Sequence, residues 1–111
     1  MTVSAKNIIP GKIAEDSTTT QYTANNVTAI IDKFTATNFD TAAATITVHL
    51  VAPAGSASNA NIVTKAKTLQ PSEVYTFPEL VGHVIPAGGF ISTVAGTALA
   101  ISIRASGREV S

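Results

Sequence analysis

Cysteine and tryptophan are both absent from the 111 residues of this sequence. Without cysteine the chain can form neither disulfides nor thiolate metal sites, so the usual cross-links of a small secreted domain are excluded. A domain of this length buries roughly two thirds of the surface that its unfolded chain exposes. We therefore expect a single domain that is stabilised by its hydrophobic core alone.

Charged residues are also scarce. Seven lysines and arginines balance seven aspartates and glutamates, and together they make up 13% of the chain. Duplex nucleic acid is bound chiefly through Lys and Arg contacts to phosphate, and no basic cluster appears along the sequence. We therefore expect no nucleic-acid partner. A weakly charged surface of Thr, Ser and Ala suits close contact with other proteins.

Long apolar runs are missing as well. The apolar stretches are interrupted every few residues by Thr, Ser or Pro, and they fall far short of the roughly 20 residues that a spanning helix needs. Residues 1–6 do not form a charged region followed by an apolar run, so we expect no signal peptide and no membrane partner. These features predict synthesis and folding in a cytosol.

Few residues are suited to catalysis or to binding a cofactor. His49 and His83 are the only side chains that ordinarily titrate near neutral pH. We expect His49 on the outward face of a strand and His83 in a loop beside Gly82. The sequence has no Gly-x-Ser-x-Gly element for a nucleophile, and its carboxylates stand singly except for Glu15 and Asp16. We therefore expect no enzymatic activity, no metal site and no cofactor.

Segments rich in Val, Ile and Thr are separated by turn residues, a pattern typical of β-structure. Inward and outward positions alternate most regularly in Ala43–Pro53 and Ala98–Glu109, and in the latter Leu99 belongs to the inward set. Ile62–Leu69 carries two lysines on one face, which favours a strand near the edge of a sheet. Shorter strands are predicted at Val74–Phe77 and Phe90–Ala95.

Val27–Asn38 predicts a further strand whose alternation is interrupted, which indicates a bulge near Asp32. The turn residues Asn38–Thr41 predict a hairpin between this strand and the next. No segment has a helical period over three turns. The sequence thus predicts an all-β fold, an antiparallel two-sheet sandwich of six to eight strands, either immunoglobulin-like or jelly-roll.

Residues 1–23 fit this pattern least well, and residues 24–111 are expected to form the sandwich domain. Because Pro10 is restricted to an edge strand or an irregular extended segment, residues 1–23 are either an edge strand or an arm that packs on a neighbouring subunit. Tyr22 and Phe39 are the aromatic residues not assigned to the core. The predicted partner-binding residues are Ile8, Ile9, Pro10, Ile13, Tyr22 and Phe39.

The blocks Val74–Gly89 and Ala100–Val110, together with Ala29–Pro53, resemble small virion proteins of tailed bacteriophages. The resemblance implies a non-enzymatic β-sandwich of the virion, above all a head decoration (cementing) protein, or else a neck, collar or tail component. It implies the major capsid protein or other virion proteins as partners, with assembly in the cytoplasm of the bacterial host. We also expect symmetric self-association as a dimer or trimer. A carbohydrate- or receptor-binding module is the alternative.

Overall fold

Nine β-strands and no helix make up the computed structural model, which describes residues 1–111. Two of the strands, Val74–Tyr75 and Val84–Ile85, are only two residues long, and both pair with the long strand Thr28–Asn38. They therefore act as one interrupted strand. The strands are β1 (Val3–Ile13), β2 (Thr19–Thr23), β3 (Thr28–Asn38), β4 (Ala44–Val51), β5 (Ile62–Leu69), β6 (Val74–Tyr75), β7 (Val84–Ile85), β8 (Phe90–Ala95) and β9 (Ile101–Val110).

The strands form two sheets, and every pairing is antiparallel. The first sheet has the order β1-β9-β3-β6, with β7 also paired to β3, and the second has the order β2-β8-β4-β5. The predicted all-β, two-sheet sandwich is confirmed. β5 lies at an edge of the second sheet, as its lysines predict.

The pairing of the strands distinguishes the two topologies that the sequence leaves open. The first strand pairs with the last, β2 pairs with β8, β3 pairs with β6 and β7, and β4 pairs with β5. These nested pairs alternate between the two sheets, which is the connectivity of a jelly roll. The molecule is elongated, with extents of 46 × 26 × 20 Å, and the loops lie at its two ends.

The core lies between the two sheets and is built mainly from isoleucine and alanine. Phe34 of β3 packs against Phe77, with the ring centroids 4.7 Å apart, and the ring centroid of Tyr75 lies 4.6 Å from that of Phe77. Burying one large apolar side chain contributes about 1.5–3 kcal/mol, so a core of this kind can stabilise the chain without cross-links. Its largest aliphatic members are Ile8, Ile9, Ile31, Ile46, Leu69, Leu80, Ile85, Ile91, Ile101 and Ile103.

The bulge that the sequence predicts in β3 is present. The register between β3 and β9 shifts between Ile31 and Lys33. Asp32 is therefore exposed, and its carboxylate accepts hydrogen bonds from Arg108 Nε at 3.0 Å and Nη2 at 2.9 Å. The bulge preserves the alternation, so that Ile31 and Phe34 both face the core.

The hairpin predicted at Asn38–Thr41 is wrong, because β3 and β4 lie in different sheets. The turn residues instead make a crossover between the sheets. The Asn38 side chain is buried, and its Nδ2 donates to the backbone oxygens of Ala42 and Leu69, each at 2.9 Å. Its Oδ1 accepts from the backbone N–H of Asp40 at 2.9 Å, so one amide holds the crossover in place.

Residues 1–23 provide an edge strand to each sheet, because β1 pairs with β9 and β2 pairs with β8. Ile8 and Ile9 are only 3% and 1% exposed. Both side chains belong to the core, which corrects the expectation that they face a partner. The register of β1 shifts between Lys6 and Ile9, and Ile8 then turns inward over Gly107, which has no side chain to obstruct it.

Polar side chains connect the two sheets along both sides of the sandwich. On one side, Glu79 accepts hydrogen bonds from Thr64 of β5 at 2.5 Å and from Tyr75 of β6 at 2.6 Å. On the other, Tyr22 of β2 donates to Glu109 of β9 at 2.5 Å. The bond to Glu79, with some burial, raises the pKa of Tyr75 to about 12. Burial and the bond to Glu109 likewise raise the pKa of Tyr22.

Candidate partner-binding surface

Four connections meet at one end of the sandwich, which we call the loop end. Backbone hydrogen bonds hold two of them against the start of β9: Ala14 N–H donates to Ile101 O at 2.8 Å, and Phe39 N–H donates to Ala100 O at 2.9 Å. A third connection is held by the bond from Ser72 N–H to Asn38 O at 2.9 Å. The loop end consists of residues 13–18, 39–43, 70–73 and 96–100.

Three large apolar side chains are exposed at the loop end. Ile13 is 43% exposed, Phe39 is 51% exposed and Leu99 is 70% exposed. Apart from the terminal methionine, Leu99 is the most exposed large apolar residue of the chain. Exposed apolar side chains that lie on neighbouring loops are typical of a protein-binding surface, whereas isolated ones are ordinary.

The loop end also contains a groove of about 290 Å³. Apolar side chains form part of its lining, and two carboxylates border them. A groove of this composition can accept an apolar side chain of another protein while the carboxylates bind its basic neighbours. Its principal lining residues are Ile13, Ala14, Glu15, Asp16, Ala98 and Leu99.

The alternating pattern of the last strand predicts the wrong position for Leu99. The alternation places it in the inward set, together with Ile101 and Ile103, but the strand begins only at Ile101. Leu99 has a φ of 55°, a left-handed conformation that a leucine rarely adopts, and its side chain therefore points into solvent. Leu99 thus combines a left-handed backbone with an exposed apolar side chain, which makes it a candidate for partner binding.

Comparisons with known proteins bear on the fold. No protein-family model matches the chain, and no curated protein matches it. A solved viral structure shares the fold. It is a chain in the structure of infectious bursal disease virus, Gx strain, with a TM-score of 0.53 and 14% identity. The match covers 97% of this chain but 32% of the viral chain, so this chain spans about a third of the length of the protein it matches.

The other predicted partner-binding residues lie away from the loop end. Ile8 and Ile9 are in the core, and Pro10 is exposed on β1. Tyr22 is half-buried, and its ring packs against the core while its hydroxyl bonds to Glu109. The loop end therefore brings together only two of the six predicted residues, and their role in binding stays a prediction.

Four basic side chains lie on the outer surface of the first sheet: Lys6, Lys33, Arg104 and Arg108. Two shallow depressions of about 390 and 250 Å³ lie among them. Asp32 is the one carboxylate beside these four cations, so the patch has a net charge of +3. We call this surface the basic face, and it consists of Lys6, Asp32, Lys33, Thr35, Arg104, Ser106 and Arg108.

The loop end has the opposite charge. Its four carboxylates are Glu15, Asp16, Asp40 and Glu73, with Lys12 as the neighbouring cation, which gives a net charge of −3. Hydrogen bonds to the Glu15 side chain, chiefly from Lys12, lower the pKa of this carboxyl, so it is ionised at neutral pH. The balanced charge composition of the chain thus conceals two regions of opposite charge, although no basic cluster appears along the sequence.

The histidines do not form a catalytic arrangement. His49 is 8% exposed, which corrects the expectation of an exposed strand position, and its Nδ1 lies 2.9 Å from Asn61 Oδ1. His83 is exposed in the turn before β7, where its backbone oxygen accepts from Ile31 N–H. No three His, Asp or Glu side chains lie close enough together to bind a metal ion. The structure contains no helix that could span a membrane.

Proposed function

We propose that this chain is a structural protein of a virus particle and that it contacts neighbouring virion proteins through its loop end. The observation that carries the proposal is the jelly-roll fold, which matches a chain of a virus structure over 97% of this chain. Jelly rolls occur both in viral capsid proteins and in lectin domains. The exposed apolar residues of the loop end add independent support for protein binding.

Within that class, we propose a decoration (cementing) protein of a tailed bacteriophage that binds the major capsid protein and accumulates in the virion after synthesis in the host cytoplasm. The resemblance of Val74–Gly89 and Ala100–Val110 to small phage virion proteins supports this choice. A neck, collar or tail component is the alternative position in the particle. Cross-links are unnecessary in either case, because the core is extensive and the sides are closed by hydrogen bonds.

A carbohydrate-binding module has less support. Sugar platforms use exposed aromatic rings, and Tyr22 is half-buried with its hydroxyl engaged by Glu109. Phe39 alone is left as an exposed ring. One ring without a neighbouring ring gives a small stacking surface, so protein contact explains the loop end better.

The proposal is tested on particles of the virus that encodes the chain. Quantitative mass spectrometry of purified particles should find the chain at a fixed ratio to the major capsid protein. Leu99→Asp should lower that ratio at least about tenfold, because it places a charge at the centre of the contact. Val84→Asp is the matched control, since Val84 is 55% exposed on β7, beside Ile30 and away from the loop end.

Two results would contradict the proposal. The first is the absence of the chain from purified particles. The second is an equal loss of the Leu99→Asp and Val84→Asp variants from particles, which would show that the loop end has no special part in attachment.

A further inference from the structure

We propose that the loop end of one copy of this chain docks on the basic face of a second copy. The inference rests on the proposed function in taking the loop end as the contact surface. The neighbouring virion protein at the loop end is then a second copy, and the major capsid protein binds another surface of the chain. The two surfaces lie on different parts of the molecule, so the contact is heterologous: each copy can donate its loop end to one neighbour and its basic face to another.

Charge is the first reason to pair these two surfaces. The loop end has a net charge of −3 and the basic face a net charge of +3, while the rest of the chain, with Lys65, Lys67, Glu79 and Glu109, is neutral. Charged residues are only 13% of the sequence, yet most of them lie on these two surfaces. Such complementary patches guide association and disfavour the wrong orientation.

Most of the cations on the basic face are free to pair with carboxylates of a second molecule. The structure has two salt bridges, Lys12 to Glu15 and Arg108 to Asp32. Lys33 and Arg104 therefore have no carboxylate partner within the chain, and both are exposed. On the loop end, Asp16 is likewise exposed and outside both salt bridges.

Shape is the second reason. Leu99 projects from the loop end with 70% of its surface exposed. The smaller depression on the basic face, of about 250 Å³, is lined by Lys33, Thr35, Arg104 and Ser106. The aliphatic stems of lysine and arginine readily cover an apolar side chain while their charged ends stay hydrated. Leu99 can therefore insert between the stems of Lys33 and Arg104, with the carboxylates of the loop end around it.

The same charges oppose the symmetric alternatives. Two loop ends facing each other would bring eight carboxylates together, and two basic faces would bring eight cations together. Like charges across an interface are destabilising, so an isologous dimer through either surface is disfavoured. Heterologous contacts repeat from copy to copy, and they form a closed ring or a longer array according to the angle between the two surfaces.

The test uses the purified full chain and two blocked variants. Lys33→Glu/Arg104→Glu blocks the basic face but leaves the loop end intact, whereas Asp16→Lys/Leu99→Lys blocks the loop end but leaves the basic face intact. All four residues are exposed, and circular dichroism with thermal melting checks that both variants fold. Lys65→Glu is the control, because it reverses an exposed lysine on β5, outside both surfaces.

Sedimentation velocity and native mass spectrometry report the assembly state. The wild-type chain and Lys65→Glu should form assemblies of more than one copy, and high salt should dissociate them because it screens exposed charges. Each blocked variant alone should stay monomeric, with its self-association weakened at least about tenfold. An equimolar mixture of the two should form a one-to-one heterodimer that grows no further. One variant supplies the intact loop end and the other supplies the intact basic face, so no further contact can form.

Three outcomes would overturn the inference: a wild-type chain that is monomeric up to about millimolar concentration, a blocked variant that assembles as the wild type does, or a mixture that stays monomeric. Each is distinguishable from failure of the proposed function. A chain that is present in particles, and lost from them on Leu99→Asp, while failing to self-associate, would keep its virion role with a different protein as the partner of the loop end.

Discussion

The interior position of Ile8 on β1 depends on a glycine of the neighbouring strand β9, and this dependence can be tested. Gly107 of β9 lies between Lys6 of β1 and Ile31 of β3. A Cβ atom at position 107 would collide with the backbone oxygen of Ile30 and would lie 2.6 Å from Ile8 Cδ1. The isoleucine tip can rotate away, but the carbonyl cannot, because β3 is paired on both sides at this point.

Gly107→Ala should therefore lower the free energy of unfolding by at least about 4 kcal/mol, the range of the most severe single substitutions. For a domain of this size the melting temperature falls by about 4 °C for each kcal/mol, so we expect a loss of about 15 °C or more. Differential scanning calorimetry and urea denaturation measure both quantities.

Gly82→Ala is the matched control for Gly107→Ala. Gly82 has a φ of 87°, and a Cβ there would have no atom within 4 Å. Gly82→Ala should therefore lower the free energy of unfolding by about 1–2 kcal/mol, the cost of holding an alanine in a left-handed conformation. If Gly107→Ala costs no more than Gly82→Ala, the close packing of Ile8 and Ile30 on Gly107 is refuted.

Four further substitutions test other parts of the structure. Ile9→Ala should lower the free energy of unfolding by about 2–5 kcal/mol and Ile13→Ala by less than about 0.5 kcal/mol, measured in urea; equal losses would contradict the burial of Ile9. Burial acts to raise the pKa of Glu79, but hydrogen bonds, chiefly from Thr64, outweigh it and the pKa is lowered. The carboxylate therefore stabilises the fold above the ordinary value of 4.5 and loses this effect as the pH falls through its lowered pKa. Glu79→Gln should accordingly lower the free energy of unfolding, measured by urea denaturation, by less in acid than at neutral pH. A loss that is constant with pH would contradict this. Leu99→Gly should raise the free energy of unfolding by about 1 kcal/mol, because glycine accepts the left-handed backbone, while it lowers particle occupancy; a loss of stability would show that the backbone of Leu99 is unstrained.

Local pattern predicts the strands well, because it reports which side chains face the core. The alternation of Ala43–Pro53 matches β4, and the interruption near Asp32 matches the bulge of β3. The choice of partner strand is a property of the whole chain. Asn38–Thr41 has turn chemistry, but a turn between sheets and a turn within one sheet use the same residue types.

The candidate surface was only partly predictable for a related reason. Ile13 and Phe39 stand at the ends of strands, where the sequence pattern ends and exposure is expected. Ile8 and Ile9 look like an apolar patch on an arm, but a register shift in β1 turns both of them inward. Leu99 continues the alternation of β9 in sequence, and only its left-handed backbone separates it from the strand.

The charge separation depends on the jelly-roll connectivity itself. Because the first strand pairs with the last, Lys6 of β1 lies beside β9, which carries Arg104 and Arg108, although about a hundred residues separate them in the chain. β3 adds Lys33 on the other side of β9. The carboxylates of the loop end come instead from connections, which are polar in any fold. A sequence that places its basic residues singly on three such strands, and its acidic residues in the turns at one end, acquires oppositely charged surfaces without any charged run. Neutral composition therefore says little about the partners of a jelly roll, and the arrangement of charges on its outer sheet is the quantity that association experiments should perturb.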